Sequence, residues 1–264
     1  MGRAKHRLGQ HFLTDPSILA RIADAVAPAR QDTVLEIGPG RGGLTSALAE
    51  RAGRVVAIEK DRDLVPELRA RFPAATIVEG DALECDWHAL AGPTFLVAGN
   101  IPYNITSPLI DKALESPRPG RIVFLVQLEV AERVVARAGT PAYGALTVGV
   151  QAVAGAERLF TVPAGAFRPR PKVDSAVLRL TPLDHPLVSE SEQASFRRLV
   201  VGIFGFRRKQ VLRGMRELTG WDARRVEAVL SAVGIEPTLR PEVLPPEAFA
   251  RLLRALVDAG WTAT

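Results

Sequence analysis

Short aliphatic and β-branched runs alternate with amphipathic stretches between Asp15 and about Leu180, and this alternation constrains the fold more than any other feature of the sequence. Strands that alternate with helices form a mostly parallel sheet, which binds ligands at the carboxyl ends of its strands. We therefore predict an α/β domain. The predicted strands cover residues 34–37, 55–58, 75–78, 95–98, 122–127, 146–153 and 175–180.

Helical patterns separate these strands, and Asp15 followed by Pro16 predicts an N-cap with proline at the first helical position. The strands at 146–153 and 175–180 have no strong helical pattern between them, so we expect an antiparallel hairpin at one sheet edge. Beyond the sheet the pattern is purely helical, which predicts a sheet domain over 1–183 and a small all-α domain over 184–264. The predicted helices cover 16–26, 43–52, 61–71, 107–114, 129–137, 222–232 and 246–257.

The composition is that of a globular protein. Hydrophobic residues make up 47% of the 264 residues and charged residues 24%, which excludes intrinsic disorder. The longest apolar runs, such as 122–126, are too short to span a bilayer, and the basic N-terminus leads into no apolar segment. The single Cys85 fits a reducing compartment. We expect a cytoplasmic protein without a membrane partner, and the net charge of +5 favours a polyanionic partner.

A glycine loop follows the first strand of the sheet. Gly38, Gly40 and Gly43 satisfy G-x-G-x-x-G between a strand and a helix, and Glu59 ends the next strand 21 residues after Gly38. This spacing is typical of a cofactor whose ribose hydroxyls bind the acid, either NAD or S-adenosylmethionine. Asp81 and Ala82 follow the third strand, and a second acid there suits the sulfonium of S-adenosylmethionine better than a pyrophosphate.

The only two asparagines of the chain, Asn100 and Asn104, flank Ile101-Pro102-Tyr103 directly after the fourth strand. Methylation of an exocyclic amine such as adenine N6 needs acceptors that hold the amino hydrogens while the lone pair turns toward the methyl group. The Asn100 side chain and the Ile101 carbonyl can supply them, because Pro102 restricts Ile101 to extended angles. Tyr103 offers a flat face on which an extruded base can stack.

Several motifs together resemble the ribosomal RNA adenine N6-dimethyltransferases, most closely the bacterial KsgA/RsmA family. The resemblance covers nearly the whole chain. It rests on Gly9-Gln-His-Phe-Leu13, Glu36-Ile-Gly-Pro-Gly40, Glu59, Glu79-Gly-Asp81, Asn100-Ile-Pro-Tyr-Asn104, 127–133, Tyr143-Gly144 and Phe167-Arg-Pro-Arg-Pro-Lys-Val-Asp-Ser175.

This resemblance implies a Rossmann-like methyltransferase domain that uses S-adenosylmethionine, releases S-adenosylhomocysteine and dimethylates two adjacent adenosines in a hairpin loop near the 3′ end of 16S rRNA. The partner would be the immature 30S subunit, and we expect a monomer. His11, which stands where many relatives have Asn, would contact the cofactor, and Phe167 would clamp the base with Tyr103. The other implied cofactor contacts are Leu13, Gly38, Glu59, Asp81 and Asn100.

Two basic segments are candidates for phosphate contacts. Arg3, Lys5 and Arg7 form an N-terminal arm, and Lys209, Arg213 and Arg216 have the spacing of one helix face. With Arg207 and Arg208, this stripe is predicted to bind RNA. The four histidines and Cys85 show no metal-ligand spacing, so no metal site is predicted.

Other functions remain open from the sequence. A large-subunit rRNA adenine methyltransferase shares the Asn-Ile-Pro-Tyr motif, although Pro108 and the long basic helical tail argue against it. A protein-glutamine methyltransferase would not need the basic tail. An RNA-binding assembly checkpoint and an NAD oxidoreductase are the alternatives from other functional classes.

Overall fold

The computed structural model describes residues 10–262, which form two compact units. The first comprises the chain up to Ala131 together with Ala156–Pro182, and the second comprises Glu132–Gly155 and the chain from Leu183 onward. No helix among the described residues is both long enough and apolar enough to cross a membrane.

A seven-stranded sheet organises the first unit. Its strand order is β4-β3-β2-β5-β6-β9-β7, and the pairs from β4 to β6 are parallel whereas β9 runs antiparallel to β6. The predicted α/β class with an antiparallel edge is therefore confirmed. The strands are β2 (Thr33–Ile37), β3 (Arg54–Glu59), β4 (Thr76–Glu79), β5 (Leu96–Asn100), β6 (Arg121–Gln127), β7 (Ala154–Val162) and β9 (Ser175–Pro182). Two short strands, β1 (Phe12–Leu13) and β8 (Phe167–Arg168), pair antiparallel in a separate ribbon.

Helices separate the parallel strands, as the sequence predicts. α1 begins at Pro16 because the Asp15 carboxylate caps it, accepting hydrogen bonds from the amides of Ser17 and Ile18. The central strands of the sheet are covered on both sides, and residues Ile122 to Val126 are fully buried. These helices are α1 (Pro16–Val26), α2 (Gly43–Ala49), α3 (Val65–Arg71), α4 (Trp87–Ala91), α5 (Thr106–Ala113) and α6 (Leu128–Val134).

The predicted strand over 146–153 is wrong, because this segment forms helix α7 (Ala145–Gln151). Its valines and threonine suggested a strand, yet Thr147, Val148 and Gln151 lie on one helical face. The Thr147 hydroxyl accepts from the Gly144 amide and donates to the Arg133 carbonyl, which fixes the first turn. The following strand, β7, begins only at Ala154.

The second unit is helical, and its extent differs from the predicted boundary. Helix α7 packs against α8 (Gln193–Gly205) and α11 (Pro246–Asp258), so residues 132–155 belong with the C-terminal helices. The Tyr143 hydroxyl donates to the Leu244 carbonyl over 2.7 Å, and Phe204 stacks on Phe249. The remaining helices are α8 (Gln193–Gly205), α9 (Val211–Thr219), α10 (Ala223–Ala232) and α11 (Pro246–Asp258).

Removal of the buried Tyr143 hydroxyl tests whether its hydrogen bond to Leu244 holds the segment 132–155 against the C-terminal helices. Tyr143 is fully buried, so Tyr143→Phe leaves the Leu244 carbonyl without its partner in an apolar environment. We expect the free energy of unfolding to fall by about 1–3 kcal/mol, measured by urea denaturation. Leu244→Ala keeps the backbone carbonyl, so Tyr143→Phe should lower the stability by the same amount in that background. Unchanged stability of Tyr143→Phe in the parent protein would contradict the assignment.

Candidate functional site

An open cavity of about 200 Å³ lies at the carboxyl ends of the parallel strands in the first unit. Open α/β sheets bind ligands at this position, where the chain reverses its strand order. Ten of the eleven predicted catalytic and cofactor-binding residues line it: His11, Leu13, Gly38, Gly40, Glu59, Asp81, Ala82, Asn100, Ile101 and Tyr103.

The glycine loop folds back onto Glu59. Gly40 has a φ of 58°, which residues other than glycine rarely adopt. A Cβ atom at this position would also lie only 3.0 Å from the Phe12 ring. The Gly40 amide donates to Glu59 Oε2 over 2.9 Å, and the Asp61 amide donates to Oε1 over 2.7 Å. Glu59 is thus held rigidly at the end of β3, although burial raises the pKa of its carboxyl group.

Asp81 is tied to the loop that follows β4. Its Oδ1 accepts from the Leu83 amide over 3.0 Å, and its Oδ2 forms an ion pair with Lys60. Burial alone would raise the pKa of Asp81. The hydrogen bonds from Lys60 and Leu83, together with the charges of Lys60 and Lys112, nevertheless hold it below its ordinary value. Asp81 is therefore a carboxylate with one oxygen paired to a largely exposed ammonium group.

The Asn100 amide has a defined orientation. Asn100 ends β5, and its Nδ2 donates to the backbone carbonyl of His11 over 2.8 Å. Because the donor end is engaged, the Oδ1 atom is left as the acceptor of a residue that lines the cavity. The neighbouring Ile101 amide donates to the Leu125 carbonyl, which anchors the segment to β6.

Tyr103 is supported from two directions. Its hydroxyl shares a 2.8 Å hydrogen bond with Ser175 Oγ, and the His11 ring stacks against it with centroids 5.6 Å apart. His11 Nδ1 lies 2.8 Å from the Pro169 carbonyl, which can only accept, so this nitrogen carries the proton. His11 therefore contacts both Asn100 and Tyr103. Sequence reasoning assigned it to the cofactor alone.

The structure does not support the predicted role of Phe167. Its ring is fully buried in the core of the first unit, and it does not line the cavity. The cause is the β1–β8 ribbon, in which Phe167 pairs with Leu13 and both residues pack into the same core cluster. The surrounding motif supports the site through the Pro169 carbonyl and Ser175 instead.

Sequence reasoning missed Glu36, which precedes the glycine loop. Glu36 is 1% exposed and lines the cavity, and its Oε2 atom has no hydrogen-bond partner among residues 10–262. Burial, with a further contribution from the charge of Glu59, raises its pKa to about 8. The signal available in the sequence was an acid within an otherwise apolar central strand.

The structure divides the predicted basic stripe of the second unit. Arg213 and Arg216 are exposed on α9, but Lys209 is not on this helix, because Gln210 is extended and α9 begins at Val211. Arg207 is held within the second unit, because it pairs with Glu242 and donates to the Pro141 carbonyl. Arg208 is exposed. The basic arm predicted at Arg3–Arg7 lies outside the described residues.

Comparison with known proteins gives consistent matches over nearly the whole chain. A model of the family described as ribosomal RNA adenine dimethylase matches residues 1–256. The protein named ribosomal RNA small subunit methyltransferase A from Geobacter metallireducens is 42% identical over 98% of this chain and 97% of its own length. The protein of the same name from Myxococcus xanthus is 42% identical over 96% of this chain and 91% of its own.

Two solved structures match most of the chain. A dimethyladenosine transferase from Plasmodium falciparum has a TM-score of 0.83 at 28% identity, covering 95% of this chain and 98% of its own. The 23S rRNA methyltransferase ErmE has a TM-score of 0.71 at 32% identity, covering 93% of this chain and 99% of its own.

The buried Glu36 predicts a pH-dependent stability. Its pKa is raised from an ordinary 4.5 to about 8. Between these two pH values the folded protein retains a proton that the unfolded chain has lost. Each unit of rising pH should therefore lower the free energy of unfolding, by at most about 1.4 kcal/mol. Glu36→Gln cannot ionise and should lose this slope in urea denaturation between about pH 5 and pH 8. Identical slopes for the two proteins would contradict the assignment.

Proposed function

Because the chain belongs to the ribosomal RNA adenine dimethylase family, we propose that it transfers methyl groups from S-adenosylmethionine to N6 of two adjacent adenosines near the 3′ end of 16S rRNA. The observation that carries this proposal is the amide of Asn100, a residue that lines the cavity: its donor end is held by the His11 carbonyl, which leaves Oδ1 as the acceptor.

The residues of the cavity fit S-adenosylmethionine. This molecule is cationic at its sulfonium and amino groups, and the cavity is lined by the acids Glu59 and Asp81. Glu36 also lines it and, with a pKa of about 8, adds a polar carboxyl group rather than a full negative charge at neutral pH. Glu59 would hold the ribose hydroxyls with the lone pairs that Gly40 and Asp61 leave open. Asp81 would accept from the adenine amino group of the cofactor, in place of Lys60.

The bound cofactor supplies an electrophilic methyl group, and the protein supplies orientation. Asn100 Oδ1 and the Ile101 carbonyl would each accept one hydrogen of the target amino group, which aligns its lone pair with the methyl carbon. Tyr103, fixed by Ser175 and His11, would hold the base by stacking. No strong base is required, because the attacked nitrogen becomes acidic once it is alkylated and releases its proton to water.

The choice of the small subunit is supported by the relatives. Proteins named for the small-subunit reaction are 42% identical over nearly the full chain, whereas the 23S rRNA methyltransferase ErmE is 32% identical. Action on an immature 30S subunit, in the cytoplasm and as a monomer, completes the proposal. Arg208, Arg213 and Arg216 are the basic residues assigned to RNA contact.

Asp81 is expected to contribute to cofactor affinity. Asp81→Ala should weaken binding of S-adenosylmethionine by about 1–3 kcal/mol, because the adenine amino group would lose a partly buried acceptor. Isothermal titration calorimetry measures this directly. Lys60→Met is the matched control: it removes the cation that competes for Oδ2, so it should leave the affinity unchanged or tighten it. Equal affinities of Asp81→Ala and the parent protein would contradict the assignment.

Asn100 is expected to act on the transition state. Asn100→Ala should lose most methyl transfer while its affinity for undermethylated small subunits remains close to that of the parent, because the amide acts chiefly on developing charge at N6. Labelled S-adenosylmethionine with undermethylated small subunits, large subunits and naked rRNA, followed by mapping of the label, measures both rate and site. Turnover within a few-fold of the parent would make Asn100 structural. Normal subunit maturation in cells by the inactive variant would favour the checkpoint role.

A further inference from the structure

A cleft of about 500 Å³ lies on the second unit, and none of its lining residues is assigned to methyl transfer. It is lined by Gln210, Leu212, Arg213, Arg216, Glu217 and Trp221, together with Gly220. Trp221 is half-buried, whereas Trp87 and Trp261 are 5% and 7% exposed. Trp221 is thus the one tryptophan of the chain that a ligand can reach without unfolding.

The indole of Trp221 is held as a platform. The Arg225 guanidinium lies over one face, 3.7 Å from the ring centroid, and is itself fixed by a 2.6 Å hydrogen bond to the Ala259 carbonyl. The Trp221 amide donates to Thr219 Oγ1, which fixes the backbone at the turn after α9. Trp221 lines the cleft and Arg225 does not, so the guanidinium leaves Trp221 available to the cleft.

The charges around the cleft are available to a ligand. Arg213 and Arg216 are exposed, and neither side chain forms an ion pair or hydrogen bond with any residue of the described chain, 10–262. Glu217 also lines the cleft, and a carboxylate repels a free phosphate but accepts hydrogen bonds from the amino and imino groups of a base. A nucleotide has both the phosphate and the base edge that this combination requires.

We propose that this cleft binds an unpaired nucleotide of the RNA substrate, with its base stacked on Trp221 and its phosphates on Arg213 and Arg216. The inference rests on the proposed rRNA substrate and adds a second contact to it. Bases of any kind stack on aromatic rings, and unpaired bases are the ones that are free to do so. Arg225 beneath the ring strengthens this platform because it prevents the indole from rotating away.

Intrinsic fluorescence tests the stacking directly, because a base stacked on an indole quenches its emission. Titration with a short unstructured RNA oligonucleotide should quench the parent protein. It should not quench Trp221→Phe, which retains the two buried tryptophans. Trp221→Ala should weaken the affinity for this RNA about fivefold to a hundredfold, and Trp221→Phe should weaken it less. Arg213→Gln should lower the affinity and reduce the salt slope by about 0.7.

Two controls make the result decisive. Arg251→Gln removes an exposed positive charge on α11 that does not line the cleft, and it should leave quenching and salt slope unchanged. Inorganic polyphosphate carries charge without bases, so it should bind without quenching. Quenching that persists in Trp221→Phe, or equal quenching by polyphosphate, would overturn the proposal. If RNA quenches the fluorescence but the protein transfers no methyl group, the nucleotide-binding cleft is supported and only the proposed methyl transfer is refuted.

Discussion

The close approach of β2 and β5 is the constraint on which the site depends. Ile37 pairs with Gly99, and a Cβ on Gly99 would lie 2.6 Å from the Ile37 carbonyl oxygen, so a side chain there would force the two strands apart. Because the strands are parallel, this pairing brings the glycine loop after Ile37 to the same edge as Asn100. The acids of the neighbouring strands then face the same cavity.

Local sequence signals predicted the elements of this arrangement well. Asp15 and Pro16 predicted the start of α1 at the observed residue, because a carboxylate cap and a proline act within one turn. The glycine spacing and the position of Glu59 likewise follow from one strand-turn-helix unit. The segment at 146–153 was predicted wrongly because valine and threonine favour strands only on average, and packing against α8 and α11 outweighs that preference.

Contacts between distant residues could not be predicted in the same way. His11 is 89 residues from Asn100 and 158 residues from Pro169, and no local pattern encodes either hydrogen bond. The burial of Phe167 depends on the β1–β8 ribbon, and the ion pair of Arg207 depends on a glutamate 35 residues away. In each case the residue type was visible in the sequence, but its partner was not.

The ribbon also determines when the site becomes complete during synthesis. Residues 12–14 hydrogen-bond to residues 166–168, so the segment that carries His11 waits for more than half of the chain before it acquires its pairing strand. A nascent chain that has passed Asn100 already contains the glycine loop, yet His11 still lacks its Pro169 partner and Tyr103 still lacks Ser175. Contacts of such long sequence separation form late in folding. The cavity therefore acquires these contacts only in chains whose sheet has closed through β9.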